Sequence, residues 1–187
     1  MIQASNDRSI PMIKKLITVL NDPESQFMNK STIVGFLGEL YVKQRLNAEG
    51  GLFVHRGNQS GVDLVNQSFE IRIDVKTSTI KDFDKPYPNW GWALLSSTKS
   101  KPTATHYICV ALDVNFEVDA YYIIHSEDLE LFPSPNDRRF KNLKYVLNIK
   151  KYDDTLLDLG QYNQCVNLLK EGKVIKVSSD KRLLDLL

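Results

Sequence analysis

The fold is decided by the stretch Ile71-Arg72-Ile73-Asp74-Val75-Lys76-Thr77, in which apolar and polar side chains alternate. A period of two predicts a β-strand with its apolar residues on one face and Asp74 and Lys76 on the other. The segments at residues 62–65 and 107–112 are largely apolar, so we expect this strand to be an inner one of a mixed sheet. An acid and a lysine two residues apart are rare on such a strand unless they have a function.

Asp63 supplies a second acid, on the strand predicted before that of Asp74. The sequence Asn66-Gln67-Ser68 favours a hairpin turn, which would bring the strand of Asp63 back alongside the strand of Asp74. Asp74 and Lys76 would project from one face about 6 to 7 Å apart. Carboxylate oxygens are the ligands that a hard divalent cation prefers, and the backbone carbonyl of Val75 can add a third oxygen. The alternative is a solvated strand face with an incidental ion pair.

The order of these residues resembles the PD-(D/E)xK nuclease superfamily, in its small stand-alone bacterial or phage form. Gly61-Val62-Asp63 closes one predicted strand, Asp74-Val75-Lys76 lies within the next, and a glutamate-bearing helix precedes both. Val62 stands where the nominal pattern has a proline. The resemblance implies an α/β fold with a mixed central β-sheet flanked by helices, the restriction-endonuclease-like core, over about residues 31–131.

The resemblance also places Glu39 in the site. Glu39 lies near the middle of a helix predicted over about residues 31–48, and Gly35 and Gly38 before it allow a close approach to a sheet. In the superfamily a glutamate on the first core helix often joins the metal site, directly or through water. An ordinary surface pair with Lys43, one helical turn later, is the alternative.

Taken together, the resemblance implies a Mg²⁺-dependent endodeoxyribonuclease that hydrolyses phosphodiester bonds, with Mn²⁺ able to substitute for Mg²⁺. Asp63, Asp74, the Val75 carbonyl and Glu39 would hold the cation, and Lys76 would help to activate the attacking water. We first expect a restriction-type enzyme that cuts duplex DNA as a homodimer, because paired cuts on antiparallel strands suit two-fold symmetry. The alternatives are a structure-selective nuclease, such as a Holliday junction resolvase, and a non-catalytic DNA-binding protein with the same fold.

Three polar or basic segments are expected to meet DNA. They are the turn-rich loop that leads into Asp63, the loop at residues 96–101, and the basic concentration between residues 138 and 151. Lysine and arginine side chains in such segments bind phosphates. For each segment an ordinary solvated surface is the alternative. The residues assigned to these contacts are Gln59, Lys99, Lys101, Arg138, Arg139, Lys141 and Lys144.

The composition limits the classes of function. The chain has 187 residues and a net charge of +1, from 24 basic and 23 acidic residues, so DNA binding must come from local basic clusters. Cys109 and Cys165 lie in apolar surroundings, where buried free thiols fit a reducing cytoplasm. Residues 1–6 lack the apolar region of a signal peptide, and no apolar run reaches membrane-spanning length. We therefore expect a cytoplasmic protein that does not associate with membranes.

One nuclease domain is expected over residues 1–187, with an N-terminal helical extension over residues 1–30 and a C-terminal extension over residues 132–187. His55 would be an ordinary residue at the end of a strand. The leucine-rich segment at residues 182–187 must be buried by the same chain or by a partner. Further strands are predicted at residues 52–55, 90–95, 106–112 and 120–124.

Overall fold

The computed structural model describes residues 9–20, 30–56, 61–68, 70–81, 88–96, 101–134, 142–151, 168, 170–177 and 181–187. Within these ranges the helices are α1 (Ser9–Leu20) and α2 (Lys30–Ala48), and short 3₁₀ helices span Ser126–Leu131 and Leu184–Leu186. No helix there is both long and apolar enough to cross a membrane. The strands are β1 (Phe53–His55), β2 (Leu64–Asn66), β3 (Arg72–Thr79), β4 (Asn89–Ser96), β5 (His106–Leu112), β6 (Val118–His125), β7 (Leu143–Lys150) and β8 (Ile175–Val177).

The largest sheet is mixed and has the strand order β1-β2-β3-β5-β6-β8. β3 and β5 run parallel, and the other neighbouring pairs are antiparallel. The register places Asp74 opposite Tyr107 and Lys76 opposite Cys109. The fold is therefore mixed α/β, and β3 is an inner strand, as the apolar segments at residues 62–65 and 107–112 predict. β5 is buried along its whole length, which confirms the prediction of a central strand.

The two faces of this sheet are covered differently. On one face, α1 and α2 pack over a cluster that includes Val75 and Ile108. On the other face, β4 and β7 pack over a cluster that includes Cys109. Since side chains alternate along a strand, Asp74 and Lys76 project on the side of β4 and β7. The expectation of helices flanking the sheet is thus met on one face of the described structure, whereas the cover described on the other face is a β-ribbon.

The ribbon of β4 and β7 is an antiparallel sheet of its own. The indole N–H groups of Trp90 and Trp92 donate to the backbone carbonyls of Leu112 and Val110, at 2.9 and 3.2 Å. Both tryptophans are buried, which confirms that they are core residues. The segment that forms β7 was expected only as a basic surface, and its strand is a correction to the sequence-based prediction.

α2 ends where the pair Gly50-Gly51 predicts. Gly50 has a φ of +99°, in the left-handed region that favours glycine. The backbone N–H of Gly51 donates to the carbonyl of Leu46 at 2.9 Å and closes the last turn of the helix. The chain can therefore leave the helix abruptly and enter β1, which brings the end of β1 back beside α2.

The leucine-rich segment near the C-terminus packs against its own chain. Leu183 is fully buried in the cluster beneath α2. The backbone N–H of Leu184 donates to the carboxylate of Glu49 at 2.8 Å, and the same carboxylate pairs with Arg45. Of the two predicted ways to bury this segment, the structure therefore shows burial by the same chain.

Candidate functional site

The candidate site lies next to the first residue of β2, beyond which one edge of β3 has no strand partner among the described residues. The last backbone bond of this pairing runs from the N–H of Asp63 to the carbonyl of Ile73, at 2.8 Å. One step further along β3, the Oδ2 atom of Asp63 accepts the hydrogen bond of the Val75 N–H at 2.7 Å. The N–H and C=O of one residue in a strand point to the same side, so the Val75 carbonyl also faces this edge. The Asp63 side chain thus takes the place of a strand partner.

Asp74 and Lys76 stand together on the face of β3 beside this edge. The Nζ atom of Lys76 forms an ion pair with the Oδ1 atom of Asp74. The Asp74 side chain is only 3% exposed, and a carboxylate so deeply buried needs a charged or hydrogen-bonding partner. The Lys76 side chain is 29% exposed, so it extends from the buried acid towards solvent. Burial and the Asp74 charge together raise the pKa of Tyr107, which lies opposite Asp74 on β5.

A close contact between α2 and β3 brings Glu39 to the same edge. A Cβ added to Gly38 would lie 2.9 Å from the Cβ of Thr77, which is closer than such atoms approach in proteins. The hydroxyl of Thr77 also donates to the backbone carbonyl of Gly35, at 3.4 Å. The glycine at position 38 therefore allows the helix to lie almost against the strand. Glu39, the next residue, therefore lies close enough to Asp63 and Asp74 for their charges to raise its pKa.

Three carboxylates and one lysine influence one another in this cluster. Burial and then the charges of Asp63 and Asp74 raise the pKa of Glu39 from 4.5 to about 7, while the charge of Lys76 opposes the shift. The four residues predicted as catalytic from the sequence therefore lie close enough for the charges of Asp63, Asp74 and Lys76 to act on Glu39. Burial contributes most to the raised pKa of Glu39, and the charges of Asp63 and Asp74 add a repulsion that a bound cation would relieve.

His55 also belongs to this cluster, which the sequence did not indicate. Its Nδ1 atom lies 3.4 Å from Oε2 of Glu39, and its ring centroid lies 5.8 Å from that of Phe36. Its Nε2 atom is buried and has no hydrogen-bond partner among the described residues. Burial and the charge of Lys43 lower the pKa of His55, while Asp63 raises it. The contact joins the end of β1 to α2 across the fold, so no local sequence pattern could have shown it.

The oxygen donors suit a hard cation, although their side chains do not form a closed cage. In the part of the chain that the structure describes, no three His, Cys, Asp or Glu side chains lie together so that they could hold a metal ion by themselves. The donors at the edge of β3 are the carboxylates of Asp63 and Asp74 and the carbonyl of Val75. Mg²⁺ is commonly held by one or two carboxylates and keeps several waters, so this donor set fits Mg²⁺. Direct ligation by Glu39 stays a prediction.

Cys109 lies opposite Lys76 on β5 and is a free, fully buried thiol, as predicted. Burial raises its pKa, which keeps the sulfur protonated and unreactive. Cys165 lies outside the described residues. The chemistry of the site therefore rests on oxygen and nitrogen groups.

One of the predicted DNA contacts lies on a segment that is tied to the site. Lys101 is exposed, and two residues later the hydroxyl of Thr103 donates to the carbonyl of Gly61 at 3.1 Å. The Nε atom of Arg72 donates to the carbonyl of Thr103 at 2.9 Å. The alternation in the sequence places Arg72 on the same face of β3 as Asp74, although Arg72 was not among the predicted site residues.

Lys144 is exposed on β7, where its Nζ atom lies 5.1 Å from the ring centroid of Tyr145. This contact can hold the ammonium over the aromatic ring. The other predicted DNA contacts, Gln59, Lys99, Arg138, Arg139 and Lys141, lie outside the described residues.

The sequence was also compared with protein-family models and with curated proteins. No family model matches it, and neither does any curated protein. The functional argument therefore rests on the geometry of the cluster.

Proposed function

We propose that this chain is a Mg²⁺-dependent endodeoxyribonuclease built on a restriction-endonuclease-like core. The observation that carries the proposal is the hydrogen bond from the Val75 N–H to Asp63, beside the ion pair of Asp74 and Lys76. It supports the proposal because it gathers two carboxylates, one carbonyl and one lysine around a single step of β3. An inner strand is also a rigid support, which a catalytic arrangement needs.

Asp63, Asp74 and the Val75 carbonyl would hold the cation, with Glu39 either as a further ligand or as a partner of its waters. When bound, the cation would polarise the phosphate and neutralise charge that develops on its oxygens. Asp63 is oriented for this role by the Val75 N–H, which fixes one of its two oxygens. The main-chain geometry therefore preorganises the site before substrate binds.

Lys76 would orient the attacking water and stabilise the negative charge of the reacting phosphate. Its ion pair with Asp74 aims the ammonium along the face of β3 towards the site. Water attacks phosphorus directly in this scheme, the bond to the leaving oxygen breaks, and no covalent bond to the protein forms. Lys76 is therefore the residue whose loss should affect the rate of cleavage more than the binding of the cation.

For the substrate we propose duplex DNA, cut in the cytoplasm by a homodimer of the restriction type. The tie between Gly61 and Thr103 supports DNA contact, because it holds the segment of Lys101 close to the turn before Asp63. A Holliday junction resolvase would use the same catalytic residues. Cleavage of a four-way junction, measured beside cleavage of a linear duplex of the same sequence, separates the two activities.

The test of the proposed function is incubation of the purified chain with supercoiled plasmid in Mg²⁺, Mn²⁺, Ca²⁺ or excess chelator. We expect nicked and linear products with Mg²⁺ and Mn²⁺, DNA binding without cutting in Ca²⁺, and no products in chelator. The variant Asp74→Asn, purified in the same way, controls for a contaminating nuclease. Full activity in chelator would refute the metal site. Mg²⁺ binding by calorimetry without any cutting would indicate a non-catalytic DNA-binding protein.

A further inference from the structure

An exposed aromatic ring lies directly beside the acidic cluster. Phe36 is 45% exposed, although it lies on α2, where Leu37 and Leu40 are buried. It precedes Glu39 by one helical turn, so the two side chains share a face of the helix. Single exposed apolar residues are common on protein surfaces, so exposure alone assigns no role to Phe36. The groups that surround Phe36 indicate what its exposed ring could bind.

The first neighbour is the ring of His55, with which Phe36 forms a tilted aromatic pair. The two centroids lie 5.8 Å apart and the planes meet at 35°. His55 in turn lies 3.4 Å from Glu39, so the aromatic pair is in contact with the acidic cluster. The two tilted rings therefore form an aromatic surface next to the carboxylate of Glu39.

The second group of neighbours is cationic. Lys43 follows Glu39 by one turn on the same face of α2, and its charge reaches His55. Arg56 is exposed at the end of β1, and its backbone N–H donates to the carbonyl of Asp63 at 3.0 Å. Aromatic rings interleaved with cations form the kind of surface that binds unpaired nucleotides, because bases stack on the rings and phosphates pair with the cations.

We infer that Phe36 and His55 form a stacking site for one unpaired nucleobase next to the phosphate that the acidic cluster would engage. This inference rests on the proposed nuclease function and names a further feature of its substrate. A nucleobase fits better than an aliphatic partner, because the surface combines a π face with the cations Lys43 and Arg56 at the edge of a phosphate-processing site. A base within the proposed duplex substrate would have to be extruded from its stack to reach this surface, so a mismatched or branched duplex should bind better than a perfect duplex.

The test uses the full chain, Ca²⁺ to permit binding without cutting, and a single-stranded oligonucleotide carrying 2-aminopurine at each position in turn. Stacking on a protein ring changes the fluorescence of this base. We expect a position-dependent change with the parent chain and with Phe36→Tyr, which keeps the ring. With Phe36→Ala the change should disappear and the affinity should fall about tenfold, the effect of losing one stacked base.

Val114→Ala is the matched control, since Val114 is also an exposed apolar residue, 49% exposed, and it lies just beyond the far end of β5 from the site. Val114→Ala should bind the oligonucleotide, and change the fluorescence of 2-aminopurine, as the parent chain does. An equal fluorescence change in the parent and in Phe36→Ala would overturn the inference, as would equal losses in Phe36→Ala and Val114→Ala. Failure of the parent to bind the oligonucleotide would also overturn it.

The outcomes separate this inference from the proposed function. If the parent cuts plasmid in Mg²⁺ while the 2-aminopurine signal is independent of Phe36, the nuclease stands and the stacking site is wrong. If the signal depends on Phe36 and no metal supports cutting, the stacking site stands as a nucleic-acid-binding surface and the nuclease is wrong.

Discussion

The Oδ2 atom of Asp63 accepts the hydrogen bond of the Val75 backbone N–H at a distance of 2.7 Å. This side chain completes the edge of β3 next to Leu64, the residue at which β2 begins. Asp63 therefore has a structural task as well as its proposed task in metal binding. The two tasks can be separated, because the hydrogen bond needs only an acceptor oxygen, whereas the cation needs a negative charge.

Asp63→Asn and Asp63→Ala should accordingly differ in stability but agree in activity. Asparagine keeps an acceptor for the Val75 N–H, so its melting temperature should stay close to that of the parent. Alanine leaves that N–H unpaired, which costs about 1 to 3 kcal/mol of unfolding free energy. Both variants should lose cleavage by orders of magnitude, because each removes the negative charge that the cation needs. Thermal melts beside a plasmid assay check this, and near-normal cleavage by either variant would remove Asp63 from the site.

Glu39→Gln should change the stability of the protein in a pH-dependent way. The folded protein raises the pKa of Glu39 from 4.5 to about 7, so folding favours the protonated form. The associated stability is fully present below pH 4.5 and is lost as the pH rises through about 7. Glutamine, which stays neutral, should therefore raise the unfolding free energy at pH 8 by on the order of 1 to 3 kcal/mol and change it little at pH 4.5.

The measurement for Glu39 is a series of chemical denaturation curves between pH 4.5 and 8 in chelator. Glu130→Gln, at an exposed glutamate of the 3₁₀ helix Ser126–Leu131, is the control. Addition of Mg²⁺ should stabilise the parent most at high pH, where the acids are charged. A gain for Glu39→Gln that is equal at all pH values would mean that folding does not raise the pKa of Glu39.

Much of this cluster could be predicted from the sequence because its elements have strong local patterns. The alternation around Asp74 predicts the strand and the face of the strand on which Lys76 lies. The short turn after β2 sets the register in which Leu64 pairs with Ile73. A slip of one residue would have turned the side chains of the strand to the opposite face. The patterns of α2 and β5 were equally clear, and both elements lie where they were predicted.

The elements that the sequence did not reveal depend on contacts between distant segments. β7 carries the alternating buried residues Tyr145, Leu147 and Ile149, but its lysines favoured interpretation as a basic surface. Its pairing with β4 is non-local, and no pattern within either strand indicates it. The contact of His55 with Glu39 was not predicted from the sequence for the same reason.

Gly38→Ala and Gly35→Ala form a matched pair on one helix. At position 38 a methyl group would meet Thr77, so we expect a loss of about 1 to 3 kcal/mol in unfolding free energy and weaker cleavage, because Glu39 is displaced. At position 35 a methyl group has open space, so alanine should stabilise the helix by up to about 1 kcal/mol. Denaturant titrations and cleavage rates test the pair, and equal effects at the two positions would contradict the close approach of α2 to β3.

Lys76→Met and Lys76→Arg should both lose cleavage by orders of magnitude while they still bind the cation. Methionine removes the charge, and arginine retains its proton and has a different shape, so neither can assist the attacking water as lysine does. Calorimetric titration with Mg²⁺ should show binding in both variants, since Asp63 and Asp74 remain. Cleavage by Lys76→Met at near the parent rate would show that the lysine is only a counter-ion for Asp74.

The central claim is that the buried carboxylate of Asp74 holds the cation that DNA cleavage requires. Its most direct test is the initial rate of plasmid cleavage in Mg²⁺ by Asp74→Asn, set against the rate of the parent at equal concentration of folded protein. The account predicts a loss of orders of magnitude with the fold intact, because asparagine keeps the shape of the side chain and removes its charge. A rate close to that of the parent would contradict the account.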